Sequence, residues 1–305
     1  MNKILAYLRA CRIEYLPAEI LGVVIPFLLS GKFLINLPIL EALIVFFLLY
    51  WSGFLINALE DVEVDEKFKK YVASAVNELG KDALKIIILI HLAISFILSF
   101  HISLQISNMW LFIFVIISTF FGLSYSIKPF HFKVRGALHS TLAFSAIFAP
   151  FFFLYYVIAG FPPASIFFII IALTITHYGI ALVNQSQDYI EDKEVGLATP
   201  AVRWGLAETL ILALMLSLTG LFVSFIGIWT FFNGKEALAF TTCVILIFAY
   251  SFPLKGIWKL IKISIEEIEI VEKISRIREL LNYPTWQMTG IAGLLVASLI
   301  IFLTS

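Results

Sequence analysis

Asn57, Asp61 and Asp65 stand four residues apart in the run Asn-Ala-Leu-Glu-Asp-Val-Glu-Val-Asp, which closes a long apolar stretch beginning near Leu37. On a helix a step of four turns about 40° past a full circle and climbs about 6 Å, so one amide and two carboxylates form a single stripe. Such groups at the end of a membrane-length run are costly and mark function. The same spacing returns at Asn184, Asp188 and Asp192, again after an apolar run. Carboxylates gathered at the rim of an apolar cavity raise one another's pKa unless a cation intervenes. Mg2+ is the simplest choice, because it is commonly held by one or two carboxylates plus substrate phosphate oxygens. Helix C-termini add negative dipole character, and Asn57 and Asn184 would orient the ligands or touch metal or phosphate. A lone Asp-x3-Asp reads more simply as a solvated helix end. Its duplication behind the same asparagine favours a site. Glu60, Glu63, Glu66, Glu191 and Glu194 lie off the stripes and read mostly as solvated.

The elements that must position these residues are membrane helices. Hydrophobic residues make up 61% of the 305, charged residues 14%, and the mean hydropathy is +0.99. That is far above a soluble domain. About nine stretches approach the ~20 apolar residues a membrane helix needs. They fall near 14–31, 38–58, 83–100, 109–125, 137–159, 164–186, 207–231, 236–254 and 285–304. Turn signals separate them at Gly31, Leu37-Pro38, Pro162-Pro163 and Asn233-Gly234. The sequence predicts an all-α, polytopic membrane protein whose helices surround a central cavity open toward a cytosolic polar cap. It reads as a single membrane-embedded domain over 1–305, with the motif repeated at 57–65 and 184–192.

All of the 21 Lys and Arg except Lys32 and Lys235 fall at the N-terminus or in the connections after helices two, four, six and eight. The positive-inside rule then puts the N-terminus and both acidic stripes in the cytosol and the C-terminus outside. An even offset of four spans makes the two motif-bearing helices parallel, unlike an inverted transporter repeat. Zero net charge gives no support to nucleic-acid binding, so the partners expected are lipidic or small. Cys11 and Cys243 read as packing residues. The connection 255–284 reads as an interfacial amphipathic helix with Ile261, Ile265, Ile268, Val271 and Ile274 on its apolar face.

A metal-bound diphosphate needs cations beside it. The connection after helix four, Tyr125-Ser126-Ile127-Lys128-Pro129-Phe130-His131-Phe132-Lys133-Val134-Arg135-Gly136, offers Lys133 and Arg135 ahead of Lys128, and Lys67 and Lys70 follow Asp65. Each is equally explained as positive-inside charge. His177, with Tyr178 beside it, lies seven residues before Asn184, nearly on its face and about 10 Å deeper. Two readings stand for it, a cavity-lining residue and a hydrogen-bonded packing residue; His91 has a weaker claim to the cavity. The 30 Phe and 11 Tyr are mostly core and lipid-facing bulk, though their π faces favour a carbocation.

Together Asn57-x3-Asp61-x3-Asp65, the Tyr125-Ser126 to Gly136 segment and Asn184-x3-Asp188-x3-Asp192-x3-Gly196-x2-Thr199-x2-Val202-x2-Gly205 resemble the UbiA superfamily of intramembrane prenyltransferases. The likeness extends over nearly the whole chain. It implies Asp61, Asp65, Asp188 and Asp192 as the catalytic Mg2+ site for an isoprenyl diphosphate. It also implies Asn57 and Asn184 as their support, Arg12 as the family's first-helix arginine, and basic residues of the cytosolic connections as holders of the diphosphate. With these, Tyr125, Lys128, Lys133, Arg135, Lys67, Lys70 and His177 make up the candidate substrate-binding residues. Ala58 stands where the family often has aspartate, and Lys67 to Ser74 lacks the family's Asn-Arg-Pro-like run.

The activity this implies is transfer of an isoprenyl group from an isoprenyl diphosphate to an aromatic or quinone-precursor acceptor, with release of diphosphate. Glu14-Tyr15-Leu16-Pro17-Ala18, beside Arg12, resembles quinone-pathway members. A geranylgeranyl transferase acting on a glycerophosphate lipid is the alternative. A cation-coupled transporter would place polar groups near the midplane, whereas these carboxylates cluster at one face.

Overall fold

The computed structural model describes residues 3–33, 35–282 and 285–304, and its regular elements are all helical. In chain order they begin with α1 (Lys3–Ala10), α2 (Leu16–Ser30), α3 (Leu37–Glu60), α4 (Val62–Phe68) and α5 (Lys70–Leu79). Next come α6 (Lys81–Gln105), α7 (Met109–Ser126), α8 (Thr141–Ala143), α9 (Ala149–Ala159), α10 (Ala164–Ser186) and α11 (Tyr189–Glu194). The last are α12 (Pro200–Trp204), α13 (Leu206–Phe231), α14 (Glu236–Ile265), α15 (Ile270–Leu281) and α16 (Thr285–Thr304). Among the described residues nine segments are long and apolar enough to cross a membrane, at the positions the hydropathy predicts.

The span ends follow from local chemistry. Asn36 caps α3 by accepting from the Ile39 amide at 3.1 Å, with Pro38 in the first turn. Asn108 caps α7 in the same way, accepting from the Trp110 amide at 3.1 Å. Gly31, at φ 66°, closes α2 in the left-handed conformation that glycine adopts without strain.

The chain divides into two compact units, Met1–Lys133 with Phe144–Gly160, and Val134–Ala143 with Phe161–Ser305. In the first, α3 packs on α6 and α9, α2 on α9, and α1 on α5. Several of its buried polar side chains find partners, which lowers the cost of holding them away from water. The Trp51 indole donates to Glu19 at 3.1 Å, and His101 Nδ1 meets Glu41 at 2.8 Å. His91 bonds the Tyr7 hydroxyl at 3.1 Å and lies 3.5 Å from Ser52 Oγ, so it is a packing residue. Cys11 is buried in the same core, and neither cysteine is in a disulfide.

The second unit is built on a close approach of α10 to α13, with α14 and α16 packed beyond. Ala213, Ser217, Gly220, Ser224 and Gly227 recur at alternating steps of four and three along α13, which makes one narrow seam of small residues. A Cβ on Gly220 would come within 2.2 Å of Thr176 Oγ1, and one on Gly227 within 2.8 Å of the Ser165 carbonyl. Lipid offers no hydrophobic drive between helices, so this backbone proximity is what holds them.

The segment after the eighth span differs from its predicted form. α14 continues to Ile265, the backbone turns extended at Glu266 and Glu269, and α15 starts anew. The break re-phases the apolar face: Ile261 and Ile274 are buried, joined by Ile277 and Leu281, while Ile265 and Val271 are exposed. Its physical cause is the run of glutamates, which disfavours one helix C-terminus and favours the next N-terminus. α15 therefore docks on a core that includes Leu182, Leu206 and Leu210 and does not lie free at the interface.

The seam makes Gly227→Leu an overpacking substitution. We expect it to cost about 1–3 kcal/mol, read as a lowered midpoint of thermal unfolding in detergent. Gly53→Ala, with nothing within 4 Å of the added Cβ, should leave the midpoint unchanged. Equal midpoints for Gly227→Leu and the parent would contradict the seam.

Candidate active site

The straight stripe expected for Asn57, Asp61 and Asp65 is bent. α3 ends at Glu60, Asp61 adopts φ −94° and ψ 4°, and α4 departs from it. The four-residue backbone ladder nevertheless continues through the bend, with the Asp61 amide on the Asn57 carbonyl at 3.0 Å and the Asp65 amide on the Asp61 carbonyl at 2.8 Å. The second motif bends at the same position, although there the middle aspartate's amide reaches back three residues, to the Gln185 carbonyl at 3.1 Å. α10 ends at Ser186, Asp188 takes φ −92° and ψ 10° ahead of α11, and the Asp192 amide bonds the Asp188 carbonyl at 2.8 Å. The middle aspartate of each motif thus sits in the sparsely populated bridge region where active-site residues recur. The duplication extends from the sequence to the backbone conformation.

In the first unit the residues converge. Lys133, itself buried, forms an ion pair with Asp61 from a 3-10 turn, Phe132–Val134. Ser126 donates to the Asn57 side-chain oxygen at 3.0 Å. Asp65 is only 5% exposed, and its Oδ2 is buried without a hydrogen-bond partner. Burial pushes its carboxyl up to about 6, and Asp61 adds to this, while Lys69, Arg12 and Lys133 pull the other way. Arg12 stands in the left-handed region at φ 56° and lies 5.9 Å from the Tyr71 ring centroid. Tyr71 in turn donates to Glu14 at 3.1 Å.

The basic candidates separate by exposure. Lys67, Lys70, Lys128 and Arg135 are exposed, Tyr125 is half-buried, and Lys133 is buried against the acid. Lys69 and Ser126 were not singled out by sequence. Both lie inside segments that were, Lys69 between Lys67 and Lys70 and Ser126 beside Tyr125. Only their burial distinguishes them.

In the second unit Thr199 donates to Asp192 Oδ2 at 2.8 Å, across the turn in which Gly196 has φ 72°. Asn184, Asp188 and Asp192 are half-buried. Arg278, on α15, donates to the Gln187 carbonyl at 3.1 and 2.8 Å and pairs with Glu191. Glu191 is therefore an anchored residue and not the solvated one expected, because a cation 87 positions later folds back onto it. His177 has a buried Nδ1 without a hydrogen-bond partner, while its neighbour Tyr178 bonds His139 Nδ1 at 3.2 Å.

Among the described residues no three His, Cys, Asp or Glu side chains converge as a closed metal cage. The donor set suits instead a hard ion that completes its shell with substrate oxygens, and the unpartnered Asp65 oxygen is a ready ligand for it.

A profile of the UbiA prenyltransferase family matches residues 20–260. No curated protein matches the sequence. The structure of digeranylgeranylglyceryl phosphate synthase is similar at 19% identity and a TM-score of 0.66, over 98% of this chain and 99% of that one. A UbiA homolog from Archaeoglobus fulgidus bound to GPP and Mg2+ is similar at 18% identity and a TM-score of 0.60, over 95% and 99%. The same homolog bound to Cd2+ gives 20% identity and a TM-score of 0.58, over 94% and 98%. At such identities these likenesses describe the fold. The profile spans most of the chain, with both repeated acidic motifs inside it, and so the chain belongs to the UbiA prenyltransferase family and is an intramembrane prenyltransferase.

Proposed function

We propose that the chain transfers an isoprenyl group from an isoprenyl diphosphate to an aromatic or quinone-precursor acceptor in a Mg2+-dependent reaction that releases diphosphate. The observation that carries this reading is the buried Asp65 carboxylate, one oxygen unpartnered, among Asp61, Arg12, Lys69 and Lys133 at the end of a membrane span. All of 1–305 acts as one membrane-embedded domain. The N-terminus and the polar connections face the cytosol and the C-terminus the other side, a reading supported by the Lys and Arg distribution.

Each unit contributes its own aspartate pair, Asp61 and Asp65 in the first and Asp188 and Asp192 in the second, and these are the residues that would hold Mg2+. Bound Mg2+ neutralises negative charge on the departing diphosphate. Lys133 and Arg12 hold phosphate oxygens where that charge develops. Lys69 joins Lys67 and Lys70 in this role, because it is the half-buried one beside Asp65. Ser126 fixes the rotamer of Asn57, and Thr199 that of Asp192. Asn184, Tyr125, Lys128 and Arg135 complete the polar contacts, and His177 lines the apolar path of the tail. The allylic C–O bond breaks with its electron pair leaving on the diphosphate. The acceptor's nucleophilic atom bonds that carbon and gives up its proton, while the apolar surroundings keep water from the cation.

A second reading has a glycerophosphate lipid as acceptor, and the likeness to digeranylgeranylglyceryl phosphate synthase over 98% of the chain favours it. Purified protein offered several isoprenyl diphosphates against aromatic, naphthoate and glycerophosphate acceptors, with products weighed by mass spectrometry, separates the two. No product from any pair would contradict the transferase reading of this chain.

Asp61→Ala and Asp188→Ala should each lower kcat/KM for Mg2+-dependent diphosphate release by about 100-fold or more. Undiminished release from either variant removes that aspartate from the metal site.

Asp65 must lose its proton to bind metal, and its pKa stands near 6. The Mg2+ concentration for half-maximal activity should therefore fall as pH rises from 5 to 7 and level above that. In the metal-free fold the sign is opposite. The raised pKa means that stability declines as pH rises from the ordinary carboxylate range through about 6. Asp65→Asn should raise the thermal midpoint at pH 8 without Mg2+ and abolish the gain that Mg2+ confers on the parent.

Arg278 acts as a positioning residue for the second motif. Arg278→Ala should raise the Mg2+ requirement about tenfold, as loss of an outer-shell contact does. Arg278→Lys should recover part of it. A fall in kcat with an unchanged Mg2+ requirement would argue against the positioning role.

A further inference from the structure

The second unit carries a cleft of about 240 Å³ lined by Phe252, Lys255, Gly256, Lys259, Leu280 and Trp286, none of them a residue of the acidic motifs. It is a built feature. Trp286 donates its indole N–H to the Leu280 carbonyl at 3.1 Å, and a Cβ on Gly256 would come within 2.3 Å of the same ring. The glycine admits the tryptophan, and the tryptophan forms one wall. Lys255 and Lys259, one helical turn apart, stand exposed on the other, and among the described residues no carboxylate lines the cleft.

Its place along α14 says what it faces. Phe240, Val244, Phe248 and Phe252 recur every four residues and are all exposed, which is a lipid-facing stripe. The stripe ends at Phe252 and gives way to Lys255, Lys259 and Lys262, the last lying 5.9 Å from the exposed Trp258 ring. Lysine and tryptophan at the end of an apolar stripe mark the headgroup level of a bilayer. The cleft therefore sits where hydrocarbon meets headgroup, with an apolar floor below and two ammonium groups above.

We propose that this cleft binds an anionic phospholipid of the surrounding membrane. Its phosphate lies between the Lys255 and Lys259 ammonium groups, the glycerol and first methylenes rest against Trp286 and Leu280, and one acyl chain follows Phe252 and Phe248 along α14. The volume, about eight waters, suits a headgroup phosphate with its first carbons and leaves the chain outside on the stripe. This is a second lipid site, built from residues outside the acidic motifs, and it holds whatever the acceptor proves to be.

The test uses the full chain in nanodiscs of phosphatidylcholine doped with phosphatidylglycerol, with retained lipid counted by native mass spectrometry. The parent should keep one phosphatidylglycerol in preference to phosphatidylcholine. Lys255→Ala/Lys259→Ala should weaken that retention about 10- to 30-fold, from the interfacial worth of two lysines. Lys81→Ala/Lys85→Ala removes the same charge from the start of α6 and should leave retention at the parent level. Undiminished retention in the first double variant overturns the proposal, as does an equal loss in the second, which would mean general attraction to an anionic surface. Displacement of the lipid by millimolar inorganic phosphate also overturns it, since the cleft would then hold free phosphate. Thermal midpoints matching the parent show that the exposed lysine variants remain folded, and Lys255→Arg/Lys259→Arg should restore the lipid.

Discussion

Everything around the first acidic motif depends on keeping two carboxylates, one of them nearly enclosed, at the end of an apolar span. A unit pair at about 4 Å gains about 4 kcal/mol at an effective dielectric of 20, and the penalty for removing each ion from water is several kcal/mol. One lysine cannot balance two acids on those terms. The fold brings three cations, Lys133, Lys69 and Arg12, from three separate segments, and Asp65 still keeps its proton up to about pH 6. Burial wins over attraction. What the enclosed carboxylate lacks is solvation and not neighbouring cations, and a divalent ion that binds it directly, together with an anionic substrate to meet the surplus lysine and arginine charge, supplies that.

This need explains local features that would otherwise be costs. Arg12 holds a left-handed backbone, uncommon for a side chain of its size, at the junction of α1 and the turn before α2. Lys133 is buried, which lysine tolerates only when paired. The aspartates themselves sit at bends. A straight helix would carry Asp65 onward along the span axis, whereas a break at Asp61 turns α4 aside while the backbone ladder remains intact. Asp188 solves the same problem with nearly the same dihedral angles.

The spans and the acidic motifs were legible in the sequence because both are written in patterns a single segment contains. Hydropathy needs about 20 contiguous residues, and Asn-x3-Asp-x3-Asp needs nine. What was not legible depends on partners remote in the chain. Glu191 looked solvated because its own surroundings are polar, and Arg278 reaches it from α15. Lys69 could not be told from Lys67 and Lys70 by type or spacing, since which of three neighbouring lysines turns inward is set by the bend at Asp61 and the packing of α5. The apolar face predicted for 255–284 assumed one unbroken helix. Glutamates at 266, 267 and 269 divide it, and the residues after the break acquire a new phase.

The two units position their acids by different physics. In the first, charge holds charge, and the geometry of Asp61 follows from a lysine on a short turn. In the second, α10 is fixed by the small-residue seam of α13, where Gly220 and Gly227 admit no added carbon and the Thr176 and Tyr250 hydroxyls bond at 2.7 Å. That rigid body ends at Ser186, so the turn carrying Asp188 begins where the seam can no longer hold it. The last carbonyls of a helix lack partners within it, and the Arg278 guanidinium meets one of them at Gln187 while its remaining reach takes Glu191. A polar connection that composition assigns to solvent thus continues the seam by other means, extending the order of α10 one turn further to the aspartates.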